Sequence, residues 1–238
     1  MARNKYITLV SSIIRYNLKI IFAGKFFWFL LAAFAFFAFF MFQEAWNRNE
    51  INEGTIYSLL MFPCLLLIFY PVVFGIQNDD DNRILEIIFG IPNYRYKVWG
   101  VRMLMVYVSN YFIILLFAYI ARLLLYPVNI FEMAAQLIFP MLFFGNLAFM
   151  FSTITRSGNG TAVIMILLGL VFFIFMNAAD FLRTSLWNVF LNPFTLPTNV
   201  HPLIWQSTIL ESRIFLMTAA VIFLLVGLLN LQKREKFV

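Results

Sequence analysis

Apolar residues run along this chain in six long blocks, each closed by polar or turn-forming positions. The short apolar–polar alternation of half-buried strands is absent, and so is the narrow stripe of soluble helices. The blocks cover residues 26–45, 55–76, 98–121, 133–155, 161–179 and 213–231. As helices they are long enough to cross a hydrocarbon layer of about 30 Å. The pattern predicts six membrane spans.

Two segments break the pattern. Over residues 5–22, Lys5, Thr8, Ser12, Arg15 and Lys19 recur on one helical face, while Ile7, Val10, Ile14, Leu18 and Ile21 form a second, apolar stripe. That is the pattern of a basic amphipathic helix lying in the headgroup plane and leading into the first span. Basic and apolar groups alternate over the first 25 residues, without the short apolar core and small-residue site of a cleavable signal peptide.

The second segment is residues 180–212, DFLRTSLWNVFLNPFTLPTNVHPLIWQSTILES. Trp187, Phe190, Phe194, Leu203, Ile204 and Trp205 make it too apolar for a solvated linker, and Pro193, Pro197 and Pro202 interrupt it. It is expected to form one or two short helices at the outer interface, or dipping back into the bilayer. Irregular backbone at that depth survives only against protein or a water-filled cavity.

Composition supports the membrane reading. Hydrophobic residues make up 63% of the chain and charged residues 12%, against about 25% charged in soluble domains. The expected fold class is all-α: a polytopic membrane protein forming one transmembrane domain over 1–238, with six helices and the interfacial N-terminal helix. An even number of spans puts both termini on one side. Arg3, Lys5, Arg15, Lys19, Lys25, Arg83, Arg95, Lys97, Arg102, Arg156, Lys233, Arg234 and Lys236 share that side, against Arg48, Arg122, Arg183 and Arg213 on the other. The positive-inside rule makes the richer side cytoplasmic. The net charge of +6 is then an orientation signal and implies no nucleic-acid partner.

Candidate chemistry is sparse. Cys64 lies in an apolar run and has no second cysteine to pair with. His201 is the only histidine, too few for a metal site, and no GxSxG-like serine accompanies it for nucleophilic catalysis. No ionisable residue is expected in a span core, which argues against proton or ion relays. Asn110, Gln136, Asn146 and Asn177 are the main buried polar residues, read as interhelical hydrogen bonders. GNGT at 158–161 lacks the lysine of a phosphate loop. The chain is expected to be no enzyme by itself, with no metal or cofactor bound directly. Its energy would come from a partner.

The stretch 79–97 is where that energy would enter. Asp79, Asp80, Asp81 and Asn82 precede an apolar run and can cap a helix. Gly90 and Pro92 end it. Arg83, Glu86 and Gly90 share one face, Ile84, Ile87, Ile88 and Ile91 another, and Leu85 and Phe89 stack one turn apart. A helix of about nine residues is unstable alone and must dock. It can lie under its own bundle, or seat in a partner's groove.

Residues 80–92, DDNRILEIIFGIP, followed by basic Arg95, resemble the loop of type-2 ABC-transporter permeases. Leu85 and Glu86 match that family's Leu-Glu, Ile87–Phe89 its following apolar positions, and Pro92 its proline. Arg83-Ile84 stands where Gly-Thr is common. The resemblance extends to the interfacial helix (Lys5, Arg15, Lys19), the six spans, the turn TITRSGNGTA at 153–162 and NPFTLP at 192–197.

The resemblance implies an ATP-driven exporter permease in a bacterial-type inner membrane, paired with a second copy or a paralogue. Cytoplasmic ABC ATPase subunits would hold ATP and Mg. Coupling would run through Asp80, Asp81, Arg83, Leu85, Glu86, Ile87, Ile88, Phe89, Pro92 and Arg95. Trp187, Asn192, Pro193 and Pro197 would lie in an outer re-entrant segment. The other expected partners are membrane lipids and periplasmic proteins, and the cargo would be amphipathic, lipid-like or a peptide. The alternatives are a permease dimer that transmits force to periplasmic partners without conducting cargo, and a channel or assembly factor outside this family.

Overall fold

The computed structural model describes residues 25–47, 51–81, 94–178, 180–198 and 200–231, with backbone alone at Asn47, Arg95, Asn177, Asp180 and Arg183. The predicted helix over 5–22 and most of 79–97 lie outside these residues. The elements are α1 (Phe26–Asn47), α2 (Glu53–Val73), α3 (Gly75–Asp81), a π-helix (Arg95–Gly100), α4 (Val101–Leu124), α5 (Ile130–Thr155), α6 (Gly158–Asn177), the short α7 (Asp180–Arg183) and α8 (Pro202–Asn230). No strand occurs among the described residues. Six stretches are long and apolar enough to cross a membrane, with α2 and α3 forming one and the π-helix running into α4. The fold is that of an all-helical, multi-pass membrane protein.

Local chemistry sets the helix starts. Asn52 accepts the Thr55 N–H at the head of α2, Asn129 accepts the Glu132 N–H at α5, and Ser157 accepts the Gly160 N–H at α6. His201 Nδ1 accepts the Leu203 N–H, and Pro202 follows at the first helical position of α8. The lone histidine is thus a helix cap. Arg156 closes α5 in the left-handed region, φ 57°, and turns the chain directly into α6.

Burial ranks the helices. About two thirds of the most apolar stretch is buried in α5 (67%) and in α2–α3 (61%), but only 17% in α1 and α6. α5 is therefore central, packed between α2, α4, α6 and α8, while α1 leans on α2. Close approach needs small residues. A Cβ on Gly145 would meet Ile68 Cδ1 at 2.6 Å and the Tyr107 hydroxyl at 2.7 Å, so Gly145 lets α2 and α4 reach the α5 backbone. Beside it, Tyr107 donates to Asn146 Oδ1 at 2.5 Å, one of the expected interhelical bonds. Cys64 is buried, with its thiol 3.9 Å from the Leu137 carbonyl.

α2 breaks at Phe74, just after Pro71, and α3 carries on from there. Ser152 of α5 donates to the Val73 carbonyl at 3.1 Å, which satisfies a backbone group at the break. Helix ends then gather at this end of the bundle. Tyr70 accepts from the Lys25 N–H and from Asn78 Nδ2, Gln77 accepts the Gly158 N–H at 2.6 Å, and Asn230 donates to the Thr153 carbonyl at 2.7 Å. The first and last described residues lie at the same end.

One expected boundary differs. The last helix starts at Pro202, not at 213, so residues 202–212 belong to it and only 180–201 remain as short helix and turns. Trp205 and Ser212, taken for interfacial segment, are buried along this longer helix.

Candidate functional site

Among the described residues, charge is buried in two places, one at each end of the bundle. At the end from which residues 82–93 leave and return, α3 delivers Asp79 and the first turn of α4 delivers Arg102. Arg102 Nη1 meets Asp79 Oδ2 at 2.6 Å, with side-chain exposures of only 5% and 4%. A pair withdrawn from water this far holds only with close geometry, because each charge loses its hydration. The Arg102 guanidinium also lies 4.6 Å from the centre of the Trp99 ring, a cation–π contact. Trp99 is fully buried against Phe149 of α5.

This node sits at the base of the loop. Asp79 precedes residues 82–93 and Arg102 follows them, so the ion pair joins the two stems. Tyr94, at the head of the π-helix, donates its hydroxyl to the Leu231 carbonyl at the end of α8. Gln77, two residues before Asp79, holds the start of α6. π-helical turns recur at functional sites because their extra residue re-aims side chains. Here Tyr94, Trp99 and Arg102, in and beside the π-helix, meet three different neighbours: the end of α8, α5 and α3.

At the opposite end, Arg213 of α8 is 6% exposed. Its Nε donates to Gln136 Oε1 of α5 at 2.9 Å, and its Nη2 lies 3.3 Å from the Leu191 carbonyl and 3.4 Å from the Tyr57 hydroxyl. Phe139 stacks beneath it at 5.4 Å. Every one of these partners is neutral. Nη1 makes no hydrogen bond. Asn192 closes the cluster: its Nδ2 donates to the Gly54 carbonyl at 2.8 Å and to Ser58 Oγ at 3.1 Å, and its Oδ1 accepts the Phe194 N–H.

The residues singled out from the sequence fall as follows. Asp80 and Asp81 end α3 and are exposed, and Arg95 opens the π-helix. Arg83, Leu85, Glu86, Ile87, Ile88, Phe89 and Pro92 lie outside the described residues, as do Lys5, Arg15 and Lys19. Asp79 was expected among the capping residues ahead of the loop helix. It lies instead inside α3 with its carboxylate committed to Arg102.

Trp187 is exposed and packs edge-on against Phe215 at 4.7 Å. Asn192 joins the Arg213 cluster, while Pro193 and Pro197 lie half-buried in the turns around it. The expectation of spans without buried ionisable groups is overturned by Asp79, Arg102 and Arg213. Arg213 marked the edge of a predicted span; with α8 starting at Pro202, it stands about three turns inside the helix. The HisPro pair at 201–202 was the available signal, since proline favours the first helical position. No local pattern announces Asp79–Arg102, whose members are 23 residues apart.

Comparisons of this chain with protein-family models, with curated proteins and with solved structures find no match.

Proposed function

We propose that this chain is the permease subunit of an ATP-driven ABC exporter, moved by separate cytoplasmic ATPase subunits through the loop 79–97. The observation that carries the reading is the clamp at the loop's base. The Asp79–Arg102 pair joins the stems, and Tyr94, Gln77 and Trp99 pass the connection to α8, α6 and α5. A push on the loop is delivered to most of the bundle through buried polar contacts, which are stiffer than a flexible linker. The resemblance of residues 80–92 to the loop of type-2 permeases supports the same assignment.

On this reading the loop end is cytoplasmic, with both termini beside it, in a bacterial-type inner membrane. The functional unit contains two permeases, alike or paralogous. ATP and Mg belong to the ATPase. The exposed aromatic faces of α1 and α6, including Phe34, Phe39, Phe42, Phe173 and Phe175, meet lipid or the second permease. An amphipathic cargo, lipid-like or peptide, suits such surfaces.

Affinity purification of the tagged chain from its native membrane tests the proposal. The expected result is a stoichiometric Walker-type ATPase that crosslinks to cysteines introduced at Leu85 or Phe89. Purification without any ATPase, under conditions that keep membrane complexes intact, would overturn it.

A further inference from the structure

Arg213 is a buried cation without a counter-charge, and we propose that it is a binding site for an anionic group, the phosphate or carboxylate head of an amphiphile. The site goes beyond the coupling reading and does not depend on it. Among the described residues, the one ion pair is Asp79–Arg102; Arg213 meets only the oxygens of Gln136, Tyr57 and Leu191. Ionisable side chains inside spans are costly and persist where they serve a site or are matched by a partner. An arginine near a helix end would ordinarily reach out to the interface. Arg213 does the opposite, turning inward between α2 and α5 until 6% of it is exposed.

The same helix carries further spare donors. Nη1 of Arg213, Oγ of Ser212 and Nε1 of Trp205 are all buried without an acceptor. They stand at i, i+7 and i+8 along α8, on one face of the helix. A phosphate or carboxylate carries several acceptor oxygens and pairs with arginine in a two-pronged geometry that neutral carbonyls cannot offer. Phe139 lies against the guanidinium and gives the site an apolar wall beside the charge.

The cover over this site packs on the bundle through buried Val189 and Leu191, with Phe190 on Phe144 and Phe194 on Tyr57. Residues 184–198 are a succession of turns, closed by short-range bonds such as Asn188 N–H to Ser185 O and Leu191 N–H to Asn188 O. Polar ties from this segment to the bundle include the Leu191 carbonyl on Arg213 and the Asn192 amide on Gly54 and Ser58. An incoming anion competes directly with the first of these: it replaces the Leu191 carbonyl as acceptor of the Nη2 hydrogen bond and accepts another from Nη1. Binding the head and lifting the cover are therefore the same exchange.

Native mass spectrometry on the purified chain alone tests the site, with phosphatidylglycerol and phosphatidylcholine of identical acyl chains as probes. The wild type is expected to bind phosphatidylglycerol at least about tenfold more tightly. Arg213→Met should abolish the preference and Arg213→Lys keep part of it. Arg122→Gln, which alters an exposed arginine, should leave it whole. Equal binding of both lipids by the wild type, or a preference that survives Arg213→Met, would overturn the proposal.

Inorganic phosphate separates the sources. Competition by millimolar phosphate points to a free anion, and no competition points to the lipid headgroup; either supports an anion site. Asn192→Ala should speed phosphatidylglycerol uptake several-fold by loosening the cover. It also decides the matter if Arg213→Met fails to fold, since an unchanged rate would overturn the covered site. The chain is assayed without an ATPase, so failure here and failure of the exporter reading are separate results.

Discussion

Arg102 and Arg213 are nearly the same object in two surroundings. Both are almost fully buried, both lie over an aromatic ring, and both join helices distant in sequence. What differs is the acceptor. Arg102 has a carboxylate at 2.6 Å; Arg213 has an amide oxygen, a phenol and a backbone carbonyl. The first charge is cancelled where it stands, so its node is a fastener. The second keeps its charge and holds a loop of turns by one carbonyl, so its node is open to exchange. Burial alone does not tell these roles apart; the charge on the partner does.

The largest effect should come from breaking the fastener. Asp79→Asn leaves Arg102 charged and unmatched, and removal of one partner from a buried pair costs about 3–5 kcal/mol. Unfolding of the purified protein in detergent should show that loss. The double variant Asp79→Leu/Arg102→Met should recover most of it, because the surviving charge is gone. Equal instability of single and double variants would mean that the node matters for shape rather than charge.

Arg213→Met should cost less, about 1–3 kcal/mol, since it strands neutral oxygens and no charge. Its signature is local: hydrogen exchange should accelerate over 184–198 while α2 and α5 stay protected. Uniform acceleration across the bundle would make Arg213 a second fastener and erase the contrast. Tyr107→Phe, between the nodes and nearer Arg102, should cost only about 0.6 kcal/mol, the ordinary worth of a hydrogen bond between membrane helices. A larger loss in the same unfolding assay would show that the middle of the bundle also depends on its polar contact with Asn146.

Much of this architecture is legible in the sequence, for a physical reason. A helix that crosses a membrane must be apolar for about twenty residues, and that length signal survives any detail of packing. The beginning of α8 escaped because the apolar, proline-broken turns before residue 202 run straight into it, so Arg213 looked like a boundary. A charge ends a span only if it reaches water. Arg213 is satisfied inside by Gln136 and Leu191, contacts that depend on tertiary structure. Asp79 likewise looked like one of four local caps, and its distinct role comes from a residue on another helix. Asn192 was singled out within a proline-containing segment, and its place beside Arg213 emerged only from the packing of α2 against the turns.

The exporter reading stands or falls at Leu85 and Phe89. Each can be changed to Asp in the chain co-expressed with the proposed ATPase, and ATP hydrolysis and transport measured in reconstituted membranes. A carboxylate enters an apolar groove only at high cost, so both variants should insert and fold normally yet lose transport-coupled hydrolysis. Normal assembly, hydrolysis and transport in both would contradict the assignment of this loop as the point where ATP energy enters the chain.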